Sequence, residues 1–184
     1  MNLLKVIYLD YQKYCRYGGN FISILFFTQG FSAIFQYRIA HFFYVHLKLI
    51  GCRQLVLAMC LLWQKWIEFS CGISIPASAR IGQSFYIGHF GGIILNANTI
   101  IGNNCNISQG VTIGISGIGN NRGVPIIGNN VYIGANAVLA GKIEIGDNIL
   151  IGACSMVNQS FTENAVIIGV PAIKISDKSS NGYI

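Results

Sequence analysis

Acidic side chains are scarce: six Asp and Glu stand against twelve Lys and Arg in 184 residues, and charged residues make up only 10% of the chain. With 53% hydrophobic residues, that scarcity excludes a disordered, solvating segment. Closely spaced metal or disulfide ligands are also missing. Cys15, Cys52, Cys60, Cys71, Cys105 and Cys154 include no C-x-x-C pair and no nearby histidine, so reduced cytoplasmic thiols are expected. Long apolar runs are absent too. Lys5, Asp10, Lys13 and Arg16 break up the first nineteen residues, and no secretion signal is expected. Between Arg16 and Arg38 there is no charge, but Gly18, Gly19, Asn20, Thr28, Gln29, Gly30 and Gln36 dilute the apolar residues below a membrane span. The apolar run at residues 55–63 is too short to cross.

What is present falls into two regimes. Residues 1–70 carry 16 of the 22 aromatics and a net charge of +5, whereas 18 of the 22 glycines lie after them, where the net charge is +1. The first region reads as basic, aromatic helices. Their apolar faces suit packing against the rest of the protein or another subunit, and also peripheral contact with the inner face of the cytoplasmic membrane. Nucleic acid is not expected, since the cations are dispersed among aliphatics without a recognised motif.

After residue 70 an aliphatic residue recurs every six positions. It appears at Ile75, Ile81 and Ile87, then after two extra residues at Leu95, Ile101, Ile107 and Ile113, and after a longer step at Ile127, Ile133, Leu139, Ile145, Ile151 and Val157. Eight of the thirteen are followed by Gly. Neither the helical period of 3.6 nor the strand period of 2 gives sixes; a coil of three short strands does. Each aliphatic residue then points into a narrow prism, stacked coils pair their backbones, and the following Gly is expected to supply the corner conformation. The expected domains are a helical region at 1–70, a β-helix at 71–175 with a protruding loop at 114–126, and a loose tail at 176–184.

The hexapeptide pattern resembles the hexapeptide-repeat acyltransferases, which implies a mainly β fold, a left-handed parallel β-helix, here preceded by short helices. Three stretches sharpen the resemblance to that superfamily's serine acetyltransferase branch. They are Ile87-Gly88-His89-Phe90-Gly91-Gly92-Ile93-Ile94, the run from Asn106 to Gly114, and Gly169-Val170-Pro171-Ala172, with Tyr37-Arg38-Ile39-Ala40-His41 beside them. The resemblance implies an acetyl-CoA-dependent O-acetyltransferase without a metal. It also implies a homotrimer, or a dimer of trimers, with acetyl-CoA in the groove between β-helices.

His89 is the only histidine after residue 70 and stands at the first break in register. With an ordinary pKa of about 6.5, imidazole suits removal of a hydroxyl proton near neutrality, and the resemblance makes His89 the general base. Main-chain N–H groups near Gly114 are expected at the oxyanion, and a backbone carbonyl at the ring's other nitrogen. By register Asn106 and Gln109 are expected to face the substrate groove. The resemblance places Ala135 and Ala153 against the pantetheine arm and gives Lys174 a CoA phosphate.

The departures from that branch concern the acceptor. Ser74 replaces an aspartate of the first coil, Gly88 replaces an aspartate before the catalytic histidine, and Gly123-Val124-Pro125 replaces an Arg-His pair before the proline, with Arg122 one position earlier. A free amino acid needs charged groups to hold its two charges. Loss of all three therefore favours a neutral acceptor: a sugar hydroxyl of a capsule, exopolysaccharide or O-antigen unit or its precursor. The alternatives are serine O-acetylation in cysteine biosynthesis and a non-catalytic β-helical scaffold.

Overall fold

The computed structural model describes residues 2–184. Three helices come first: α1 (Leu3–Arg16), α2 (Gln29–His46) and α3 (Ile50–Cys71), with a π-helical turn at Ser23–Phe27. The Asn2 side chain caps α1 by accepting the N–H of Leu4 at 3.1 Å. Gly72 ends α3 in the left-handed conformation, φ 64°, and returns its N–H to the Glu68 carbonyl at 3.0 Å. Among the described residues no helix is long and apolar enough to cross a membrane.

The coils follow. The first holds β1 (Ile73–Ser74), β2 (Arg80–Ile81) and β3 (Tyr86–Ile87); the second β4 (Ile93–Leu95), β5 (Ile100–Ile101) and β6 (Asn106–Ile107). The third holds β7 (Thr112–Gly114), β8 (Ile126–Ile127) and β9 (Tyr132–Ile133); the fourth β10 (Val138–Ala140), β11 (Glu144–Ile145) and β12 (Leu150–Ile151). A last coil runs through β13 (Met156–Val157) and β14 (Val166–Gly169) and closes with β15 (Ala172–Ser176), antiparallel to β14. The chain is a left-handed β-helix with three faces: A (β1, β4, β7, β10, β13), B (β2, β5, β8, β11) and C (β3, β6, β9, β12, β14, β15).

Strands stack level with one another, so Ile87 sits on Ile107, Ile107 on Ile133 and Ile133 on Ile151. All thirteen aliphatic positions of the repeat are buried. A second inward column lies two residues before each of them; on face C it is Phe85, Cys105, Val131, Ile149 and Ala165.

The expected role of the repeat glycines needs correction. None of the eight has positive φ; the left-handed corner residues are Ser84, Asn104, Asn130, Asn136, Asn148, Cys154 and Asn164, with φ of 54–59°. Asparagine tolerates that region, and here it also links coils. Asn104 Nδ2 donates to Asn130 Oδ1 at 2.8 Å, Asn130 to Asn148 at 2.9 Å, and Asn148 to Asn164 at 3.1 Å. The glycines are there for closeness. A Cβ on Gly102 would meet Gly128 O at 2.5 Å, and one on Gly134 would meet Ala153 N at 2.6 Å. Gly88 and Gly114, which flank the two interruptions, differ: a Cβ would meet nothing nearer than the Tyr86 ring at 3.2 Å or Thr112 at 3.9 Å.

The first coil has no coil above it, and the helices satisfy its open backbone. Tyr37 OH donates to Ala79 O at 2.8 Å and accepts from Ile81 N at 3.1 Å; Tyr14 OH does the same for Ile87 O (2.9 Å) and N (3.1 Å). Buried Arg38 reaches Ile81 O at 2.7 Å and pairs through Nε with Asp10 Oδ2 at 2.7 Å, while Asp10 Oδ1 accepts the N–H of Phe85 at 2.9 Å.

The tail at 176–184 is not loose. Ser180 is buried, its N–H bonded to Asn148 O at 3.1 Å, and Tyr183 O accepts from Tyr17 OH at 3.2 Å. The insertion between β7 and β8 protrudes as a closed loop, with Ser116 and Gly123 exchanging backbone hydrogen bonds at 3.1 and 3.0 Å.

Candidate functional site

The edge where face C turns into face A is where the end of the helical region meets the first interruption. Backbone hydrogen bonds stack the corners of successive coils there. Gly91 N donates to Cys71 O at 2.9 Å, Gly110 N to Gly91 O at 2.9 Å, Asn136 N to Gln109 O at 2.9 Å and Cys154 N to Ala135 O at 2.8 Å. The end of α3, the His89 corner, Gln109, Ala135 and Ala153 therefore follow one another down a single edge. The two residues added before β4 push His89 and Phe90 outward, and both are exposed. Gly91 and Gly92 take up the turn, with φ of 98° and 68°.

Among the described residues neither ring nitrogen of His89 is hydrogen-bonded, unlike His41, whose Nδ1 lies 2.8 Å from Ala77 O. Among the described residues the expected carbonyl at the His89 ring is thus absent. Its strand is held from behind instead: Tyr14 brackets Ile87, and a Cβ on Gly30 would meet Ile87 O at 2.2 Å, so only glycine lets α2 approach.

Ser74 lies at the top of face A, beside Ile94 in register. It is not alone. Its Oγ donates to Glu68 Oε1 at 2.7 Å, the same oxygen accepts Gln64 Nε2 at 2.9 Å, and Lys65 Nζ lies 2.5 Å from Oε2. Burial pushes the Glu68 carboxyl up, but the hydrogen bonds from Lys65, Ser74 and Gln64 outweigh it and hold the group below the ordinary carboxylate value. Nothing local in the sequence marks Glu68: it stands on a helix, six residues before the coil position it bonds.

Other expected site residues lie elsewhere. Asn106 does not face the groove: it is buried on face C, where Nδ2 donates to Tyr17 OH at 2.7 Å and to Tyr183 O at 3.1 Å, because the tail folds over it. Gly114 ends β7 at the opposite edge of face A, and Arg122 is exposed on the loop that leaves from there. Lys174 pairs with Asp177 at 2.5 Å on β15. Small, accessible Ala135 and Ala153 leave the edge below His89 open to an extended ligand arm. No group of three metal-ligating side chains occurs among the described residues.

Comparisons with known proteins agree with this fold. Residues 125–159 match the family described as bacterial transferase hexapeptide (six repeats). A serine acetyltransferase of Synechococcus elongatus is 32% identical over 152 residues, which are 83% of this chain and 59% of that protein. The crystal structure of Neisseria gonorrhoeae serine acetyltransferase in complex with serine superposes with a TM-score of 0.79 at 32% identity, covering 95% of this chain and 69% of that one. A serine acetyltransferase in complex with CoA gives 0.79 at 29% identity, covering 94% and 69%. The chain thus spans a little under two thirds of the curated relative's length. These likenesses overturn the expected saccharide acceptor, for the matched proteins are serine acetyltransferases despite the changes at Ser74, Gly88 and Gly123-Val124.

Proposed function

This chain belongs to the serine acetyltransferase-like branch of the hexapeptide-repeat acyltransferases, and from that membership we propose that it transfers the acetyl group of acetyl-CoA to the hydroxyl of L-serine. The observation that carries the proposal is His89, exposed with free ring nitrogens at the break in the edge that continues through Gln109, Ala135 and Ala153. One ring nitrogen takes the hydroxyl proton as the serine oxygen bonds to the thioester carbonyl carbon. The carbon–sulfur bond then breaks, and the imidazolium returns the proton to the departing thiolate. The acetyl-CoA arm runs down the edge past Ala135 and Ala153.

An exposed ridge is half of a site. The loop with Arg122 leaves from the opposite edge of face A, so a second copy is the natural source of the facing wall. In this proposal that copy brings its loop, and the Gly114 amides, to His89, in a homotrimer. The outer side of α3 supports assembly: Leu55, Met59, Leu62, Trp66 and Phe69 are all exposed, spaced alternately by four and three residues as in a helix seam. Light scattering on the purified chain tests the trimer. Sedimentation with anionic phospholipid vesicles tests the other cover for that face.

The decisive experiment measures thiol release from acetyl-CoA with L-serine and a panel of other hydroxyl compounds. Serine-dependent release that falls about 100- to 10,000-fold in His89→Ala, with unchanged melting temperature, is the expected result. Release that ignores serine, or that survives in the variant, refutes it.

A further inference from the structure

We infer that Glu68 is the carboxylate that receives the α-ammonium group of the amino-acid acceptor. The inference rests on the serine reading and deepens it. Moving an ammonium group from water into a subunit groove is costly unless a carboxylate meets it. The chain has six acidic residues to choose from. Asp10 is buried and spent on Arg38; Glu144 lies on face B; Asp147 binds Asn129 at the B–C corner; Glu163 follows the last coil's bridge at Phe161; Asp177 pairs with Lys174 in the tail. Glu68 alone lies on an element whose end is bonded to the His89 corner. Its helix is fixed to that corner by the bonds Gly91 N to Cys71 O, 2.9 Å, and Ile93 N to Gly72 O, 3.0 Å. The approach is so close that a Cβ on Gly72 would meet Gly91 Cα at 3.1 Å.

The two oxygens of Glu68 are held differently. Oε1 is fixed by Ser74 and Gln64, whereas Oε2 meets only the ammonium group of Lys65, a side chain 64% exposed. An amine already occupies the outward oxygen, then, on a flexible stem that an incoming amine can displace. Glu68 lies in the last turn of α3, where the helix dipole disfavours negative charge, so its ionised form depends on the bonds from Lys65, Ser74 and Gln64. The lost aspartate at position 74 is thus answered from the helix: the Ser74 hydroxyl holds a carboxylate instead of supplying one.

The test uses the full-length chain with L-serine and with 3-hydroxypropionate, which keeps the hydroxyl and carboxylate but lacks the amine. Glu68→Gln is expected to raise KM for L-serine about 10- to 100-fold, as for loss of a charge-assisted hydrogen bond. KM for acetyl-CoA and the turnover of 3-hydroxypropionate stay unchanged, so the preference for serine collapses. Glu68→Asp recovers part of it. If Glu68→Gln does not fold, Ser74→Ala releases Oε1, loosens the carboxylate that presents Oε2, and is expected to raise KM for L-serine about threefold to tenfold. Equal effects on both acceptors, or an unchanged KM for serine, overturn the inference while leaving the serine reading intact. A wild-type protein that acetylates 3-hydroxypropionate but never L-serine overturns both.

Discussion

The helical region and the β-helix meet the same physical demand, that buried backbone groups be paired, by opposite means. Within the β-helix each coil pairs with the next, so identical chemistry repeats and few residue types suffice. The helices have no strand to offer the first coil. They present side chains instead, and each is particular: two tyrosine hydroxyls, one guanidinium and one carboxylate. Errors should therefore be spread thinly in the β-helix and concentrated at the cap.

The largest effect is expected from Arg38→Met. It strands the buried Asp10 carboxylate and unpairs Ile81 O together, and the cost is about 3–5 kcal/mol by urea denaturation. Pairing it with Asp10→Leu should restore a large part, because the isolated charge is what hurts. A double variant as unstable as Arg38→Met would show that the carbonyl contacts dominate.

The glycines sharpen the contrast inside the β-helix. Gly102→Ala forces a Cβ against the next coil's backbone and is expected to cost at least about 2 kcal/mol; Gly114→Ala meets only Thr112 at 3.9 Å, an ordinary contact, and should cost less than about 0.5 kcal/mol. Equal losses at the two positions would mean that corner conformation, not coil spacing, selects glycine. Tyr37→Phe comes next. It removes one hydroxyl that serves both Ala79 and Ile81, for about 1–2 kcal/mol in a thermal melt.

The same contrast explains what could be read from sequence. The prism was legible because burial on a stacked coil recurs at a fixed interval, and the Ile87–Ile107–Ile133–Ile151 column is that interval made visible. The second inward column was hidden, since Phe85, Cys105, Val131 and Ala165 share no chemistry beyond fitting. His89 stood out because it breaks a period. Asp10 and Arg38 lie 28 positions apart in a region without one, and nothing local links them. Glu68 was hidden differently: function moved six residues along the chain to another element, and a position-by-position comparison registers only the loss at Ser74. The polarity of the tail reads as looseness, yet the Ser180 hydroxyl and the Tyr183 carbonyl hold it to face C.

The smallest effect tests the seam between the two regions, where Lys13 of α1 reaches Asn104 Oδ1 at 2.7 Å, beside the Cys105 column. Burial lowers the Lys13 ammonium from 10.5 to about 8. Between those values the unfolded chain holds a proton that the folded one does not, so stability rises with pH. Burial also lifts the Cys105 thiol, from 9.0 to about 11. There the folded protein keeps the proton and the unfolded chain loses it, so stability falls as pH rises through that window. Above pH 9 the two slopes oppose each other, and the wild-type curve flattens. Cys105→Val, which matches Val131 in the same column, removes the thiol and its bond to Gly128 O at 3.2 Å. Between pH 8 and pH 10 its stability relative to wild type should rise by about 1 kcal/mol. A difference that stays constant over that range would instead reflect packing, and the helix–coil seam would then be held by shape rather than by its protons.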